Sequence, residues 1–212
     1  MLNWIFTSVL WLLTPEPTLW HDLGENQGVH IWDNAPSTSP STSPSTSVHA
    51  FRAEIQTPLT PEEVWRVISD PMQYTDLIPY LEHSEIIARD DPTTVYMYQR
   101  IKAPIVSKRD YTLRVHVETS PEKHEYIQRW NTANTHGPVA KSDIVRMEIC
   151  EGAWHLSPTP QGGTHMRYEL LTDPAGSVPA WIVNLVNKRR MPNLILALLE
   201  RASAKHTKQR LD

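Results

Sequence analysis

The chain holds a single cysteine, Cys150, among its 212 residues. That excludes an intramolecular disulfide framework and any zinc site built from several thiolates. A basic excess is also missing. With a net charge of −4, the chain has nothing spare to neutralise a phosphate backbone, so nucleic acid is not an expected partner. No Gly-x-Ser-x-Gly elbow and no phosphate-binding glycine loop occurs. His116, His124, His136, His155 and His165 fall in or near strand-like segments. None forms an i, i+4 pair or has a carboxylate at motif spacing, so neither metal nor cofactor is expected. The apolar opening, Met1–Leu13, is too short to span a bilayer as a helix, which takes about 20 residues. It has the length of a signal-peptide core. Yet no Lys or Arg precedes it, and Thr14-Pro15-Glu16-Pro17 follows in place of a small-x-small cleavage site. An export signal and an uncleaved anchor or packed segment both stay open, and the compartment, cell envelope or cytoplasm, stays open with them. Phenylalanine is scarce too, with two against eight Trp and seven Tyr. Indole and phenol rings are apolar on the face and polar at the tip, which suits a ligand cavity as well as a core.

What is present is ordinary in bulk and informative in order. Hydrophobic residues make up 40% and charged residues 21%, a composition expected of one globular domain at this length. Gly28–Trp32 alternates like a short strand. The repeat Ser37-Thr38-Ser39-Pro40, Ser41-Thr42-Ser43-Pro44, Ser45-Thr46-Ser47 has no apolar side chain to bury and reads as a disordered insert. A second strand, Val48–Gln56, follows at once, so the insert is expected to join two neighbouring strands. Thr60-Pro61-Glu62-Glu63 then starts a helix: Thr60 caps, Pro61 suits the first helical position and Glu63 completes a capping box. Pro71 ends it.

From Ser84 to Leu171 the pattern is that of strands separated by turns. The runs are Ser84–Ala88, Thr93–Ile101, Asp110–Glu118, Glu125–Trp130, Asp143–Cys150 with Ala153–Leu156, and His165–Leu171. Gly162-Gly163 reads as a hairpin. No helix-length periodic run interrupts them, which excludes a parallel sheet with crossover helices. A long helix closes the chain. Pro179 sits near its start, Pro192 is expected to kink it, and Trp181, Ile182, Leu185, Val186, Leu194, Ile195, Leu198 and Leu199 recur at helical spacing. The order predicts an α+β fold in which a curved antiparallel sheet wraps around one long C-terminal helix, with a short helix after the second strand. Curved sheet and straight rod do not interdigitate fully, so a cavity between them is expected.

Four segments, in this order, resemble the START (StAR-related lipid-transfer) family and especially its bacterial members. Pro104-Ile105-Val106-Ser107-Lys108-Arg109-Asp110-Tyr111 looks like that family's Pro-x-x-x-x-Arg-Asp-aromatic lead into a central strand. Val145-Arg146 with Gly152-x-Trp154 looks like its Val-Arg…Gly-x-Trp strands. Tyr168, then Asp173-Pro174-x-Gly176-x-x-Pro179-x-Trp181-x-x-Asn184, looks like its last strand and the start of its last helix. The resemblance runs from about Gly28 to Arg201. It implies a helix-grip (Bet v 1-like) fold and a hydrophobic small-molecule ligand, held and carried without chemistry. Polyketide cyclases and aromatase-like enzymes share the fold and are the alternative. One departure stands out. Members that carry sterols often place an acidic and a basic side chain on neighbouring cavity strands, where this sequence offers Tyr96, Tyr98 and Val115.

Candidate ligand-binding residues are Tyr98, Leu113, Val115, Val145, Met147 and Tyr168 on the strands and Trp181 and Leu185, four apart, on the helix. Leu113 and Val115 share a face with Tyr111; Val145, Met147 and Ile149 share a face opposed to Arg146 and Glu148. Arg109-Asp110 reads as a pair that fixes a loop, and Cys150, beside Ile149 on a strand, as a buried inert thiol. No residue is nominated as catalytic. Residues 1–19 are set apart as the apolar segment, 20–205 as the domain with its insert at 37–47, and 206–212 as a basic tail. From Val178 onward the chain carries a net +5, leaving −9 on the rest. Two readings of that distribution stay open, an ordinary solvated face and transient membrane contact through the C-terminal helix.

Overall fold

The computed structural model describes residues 20–34, 48–175 and 191–209, with side chains through Ala204. Ten strands form one sheet: β1 (His21–Asn26), β2 (Val29–Asp33), β3 (His49–Thr57), β4 (Leu81–Asp91), β5 (Thr94–Ile101), β6 (Arg109–Ser120), β7 (Glu125–Thr132), β8 (Val145–Arg146), β9 (Ile149–Pro158) and β10 (Thr164–Asp173). The helices described are α1 (Pro61–Ile68), the single turn α2 (Tyr74–Leu77) and α3 (Met191–Gln209). The spatial order is β1-β2-β3-β10-β9-β7-β6-β5-β4, with β8 attached to β6. All pairs are antiparallel except β6 with β8, which is parallel over two residues. The curved sheet with its C-terminal helix is a helix-grip fold.

Local chemistry accounts for the elements. α1 begins with the full capping box: the Glu63 amide donates to the Thr60 hydroxyl, and the Thr60 amide donates to the Glu63 carboxylate at 2.8 Å. Val64, Val67 and Ile68 are its buried stripe. β9 and β10 are joined through a turn in which Gly162 adopts φ +88°, a left-handed conformation that costs glycine nothing. β2 and β3 are neighbours, as the position of the Ser/Thr/Pro repeat predicts; the repeat itself lies outside the described residues. β4 forms one edge and breaks register three times against β5, which discourages pairing with another chain.

α3 lies against the sheet. Met191, Leu194, Ile195, Leu198 and Ala202 form its buried stripe, and they join one cluster with Val64, Val67, Ile68, Trp154, Leu156, Met166 and Tyr168. Pro192 is the second residue of the described helix. Pro179, Trp181, Ile182, Leu185 and Val186 lie outside the described residues, and with them the expectation of a continuous helix kinked at Pro192.

The structure corrects one strand. Asp143–Cys150 does not run as a unit. Val145–Arg146 pairs parallel with Arg109–Asp110, and β9 runs unbroken from Ile149 to Pro158. The alternation of faces therefore resets at Met147–Glu148. β1 and α2 are additional to the expected elements.

Candidate cavity between sheet and helix

A cavity of about 280 Å³ lies between the inner face of the sheet, α3 and the α1–α2 corner. Period two decides which strand residues reach it. On β6 these are Arg109, Tyr111, Leu113 and Val115; on β5, Met97, Gln99 and Ile101. Register agrees, since Met97 pairs with Leu113 and Gln99 with Tyr111. β7 adds Gln128 and Trp130, β9 adds Cys150 and Trp154, and β10 adds Tyr168, Leu170 and Thr172. α3 closes one side with Met191, Leu194 and Leu198; Ile68, Tyr74 and Leu77 close another. Gly152 makes room for this wall. A Cβ there would stand 2.4 Å from the Trp130 ring and 2.2 Å from the Glu169 carbonyl oxygen, so only glycine lets the indole lie over β9.

The lining is apolar apart from a few groups whose bonding is specific. The Tyr74 hydroxyl donates to the Ile68 carbonyl at 2.6 Å and accepts from the Gln128 amide at 3.1 Å. Burial pushes its pKa up to about 12. The Gln99 amide donates to the Ser84 hydroxyl at 3.2 Å. Arg109, the one charged side chain among the described lining residues, is buried. It donates to the carbonyls of Pro174 at 2.8 Å, Ala175 at 3.3 Å and Ser107. Burial lowers its pKa. The guanidinium thus clips the end of β10 to the start of β6. Cys150 is buried, and desolvation pushes its thiol to about 12. Tyr111 and Tyr168 are both over nine-tenths buried, and burial raises both phenols well above their ordinary range.

Of the candidate residues taken from sequence, the structure brings Leu113, Val115, Met147 and Tyr168 together on the cavity wall. Trp181 and Leu185 lie outside the described residues. Tyr98 and Val145 are not on the wall. Tyr98 pairs with Thr112, one residue out of phase with the Met97 and Gln99 face. Its hydroxyl donates to Asp110 at 3.0 Å on the other side of the sheet, where Arg146 grips the same carboxylate at 2.7 and 3.1 Å. Val145 belongs to the parallel pair at β6, and the reset after it turns Met147 and Cys150 inward rather than Ile149. The β5 positions compared with the sterol carriers' charged pair were accordingly out of phase; Met97 and Gln99 are the inward ones. Tyr111, Gln128, Trp130 and Cys150 were not among the candidates. Extending the Leu113 and Val115 face by two residues gives Tyr111, whereas the other three depend on strand register.

No helix among the described residues is long and apolar enough to cross a membrane, and the described residues contain no cluster of His, Cys, Asp and Glu that could hold a metal ion. On α3, Arg201 is already engaged, donating to Gln73 at 3.1 Å and lying 3.6 Å from Asp76.

Residues 57–199 match the family model described as polyketide cyclase / dehydrase and lipid transport. The fold is similar to that of a STAR-related lipid transfer protein from Xanthomonas axonopodis, with a TM-score of 0.70 and 22% identity, covering 87% of this chain and 98% of that one. Human StAR-related lipid transfer protein 5 gives a TM-score of 0.72 at 19% identity, covering 91% and 90%. An uncharacterised protein of Pseudomonas aeruginosa is 29% identical over 99 residues, 46% of this chain and 48% of that protein. The match therefore spans about half the length of that curated relative.

Proposed function

The chain belongs to the polyketide cyclase / dehydrase and lipid transport family, and from that premise we propose that it binds one hydrophobic small molecule in the cavity and carries it between membranes without altering it. The observation that carries this reading is an apolar cavity bounded by Leu113, Val115, Met147, Trp154 and Leu198. Each square ångström of apolar ligand surface withdrawn from water contributes roughly 25 cal/mol. The names of the START proteins similar in fold point the same way. The described polar groups on the wall are phenols, amides, a hydroxyl, a buried thiol and a guanidinium held by carbonyls. None of these exchanges a proton readily near neutrality, which favours holding over catalysis.

Leu113, Val115, Met147 and Tyr168 are the residues we assign to ligand contact, with Trp181 and Leu185 on the segment that precedes α3. For exchange at a membrane, the basic groups Lys188, Arg189 and Arg190 supply attraction to anionic lipid, since Arg201 is occupied. Native mass spectrometry of the protein purified from its own source tests the binding. A single apolar molecule per chain, released on denaturation, is the expected result. Protein that emerges empty and takes up no hydrophobic molecule from a lipid extract contradicts the proposal.

A further inference from the structure

The polar groups around the cavity divide sharply by whether they have partners. The hydroxyl of Tyr74, the amides of Gln99 and Gln128, the hydroxyl of Thr172 and the Arg109 guanidinium all hydrogen-bond to protein. The hydroxyls of Tyr111 and Tyr168 do not: among the described residues neither has a hydrogen-bond partner, although their side chains are only 6% and 7% exposed. A phenol that lines an apolar cavity without a protein partner is free to donate to whatever fills that space. Both rings are held. Tyr168 makes a tilted ring contact with Trp154, centroids 4.2 Å apart, and another with Trp130 at 5.9 Å, while Tyr111 is anchored in β6 opposite Gln99. The two phenols share a neighbourhood as well as a cavity, since Cys150 on β9 is near enough to each for a thiolate there to oppose its ionisation.

We propose that Tyr111 and Tyr168 form an oxygen-recognition subsite, and that the ligand is a lipid bearing an uncharged carbonyl-type oxygen, a ketone or an ester, on an otherwise apolar skeleton. This rests on the binding function proposed above and deepens it. A carbonyl oxygen has two lone pairs, so one atom can accept from both phenols. A carboxylate fits less well. The only cation on the described wall, Arg109, commits three of its five N–H donors to backbone carbonyls, and an unpaired charge in this apolar space is strongly disfavoured. The subsite sets where along the skeleton the polar atom sits, and so acts on specificity rather than on gross affinity.

The test uses three probes of equal chain length, undecane, 2-undecanone and undecanoate, which compete against a bound apolar fluorophore. The proteins are the full chain and its Tyr111→Phe, Tyr168→Phe and double variants. Phenylalanine keeps the ring and its packing, and the alkane reports that the cavity is intact in each variant. The expected result is that the parent protein prefers the ketone to the alkane. Each single variant loses up to about tenfold of that preference, one order of magnitude being what a hydrogen bond of typical strength contributes, and the double variant loses more, while alkane affinity holds or rises. Equal ketone and alkane affinities in the parent, or a preference that survives both substitutions, overturn the subsite and leave the binding function standing. Preference for undecanoate over the ketone overturns the claim that the ligand oxygen is uncharged. If none of the probes displaces the fluorophore and the fluorophore itself does not bind, both the subsite and the binding function fail.

Discussion

At the scale of residues, the sheet separates two chemistries carried by adjacent positions. Arg109 turns into the cavity and Asp110 turns away, each to its own set of partners. Asp110 is 2% exposed and depends on Arg146 and the Tyr98 hydroxyl. Removing one partner of such a pair leaves an uncompensated buried charge, so Arg146→Ala is expected to cost about 3 kcal/mol. Tyr98→Phe is expected to cost about 1 kcal/mol. Urea unfolding measures both, and a loss under 1 kcal/mol for Arg146→Ala would show that the carboxylate is rehydrated instead. Cys150 supplies a pH dependence whose sign is fixed. Burial raises its thiol from about 9 to about 12. Below pH 9 folded and unfolded chains both keep the proton, and stability from this group is intact. Between pH 9 and 12 the unfolded chain releases a proton that the folded chain retains. Stability therefore falls by up to about 1.4 kcal/mol per pH unit. The Cys150→Ala variant is expected to lose less stability over that interval, and parent and variant with identical alkaline profiles would contradict the assignment. At pH 8 the native thiol is also expected to resist alkylation that proceeds readily in urea.

Element by element, what could be read from the sequence tracks how much of each element is decided locally. α1 carries its whole start signal in Thr60-Pro61-Glu62-Glu63 and forms as read. Thr60→Ala is accordingly expected to lower stability by about 1 kcal/mol in chemical denaturation, and an unchanged midpoint would mean that packing alone holds the helix. β1 escaped notice because His21-Asp22-Leu23-Gly24-Glu25-Asn26 has one apolar side chain and a register shift at Gly24. Such an edge strand exists through its partner rather than its pattern. The same holds inside the sheet. Alternation alone gives two faces and no indication of which is inner, and that is how Tyr98 was placed a residue out of phase with Met97 and Gln99. Val145 failed differently: the short β8 pairs with β6 across a long sequence separation, a constraint that no local pattern carries. The Ser37–Ser47 repeat joins adjacent strands β2 and β3, and doubling a flexible loop costs only about 0.6 kcal/mol. Replacing those eleven residues by a short glycine-containing turn is expected to leave the melting temperature unchanged or slightly raised; a large drop would show that the segment packs.

For the whole molecule, a net charge of +5 from Val178 onward on a body of −9 gives a polarity suited to docking at anionic bilayers. Binding to anionic vesicles is expected at low salt, weakening as salt is added and on charge reversal at Lys188, Arg189 and Arg190. Binding indifferent to those three charges would contradict electrostatic docking through them. Docking matters only if the cavity holds something to deliver, so everything turns on occupancy of that cavity by one apolar molecule. Calorimetric titration with an apolar fluorophore at several temperatures, on the parent chain and on a Leu113→Trp variant whose indole projects into the space, tests it most directly. One site per chain with a negative heat-capacity change is expected, abolished in the variant while its fold persists by circular dichroism. Binding of equal affinity and stoichiometry in the folded variant would place the ligand outside the cavity.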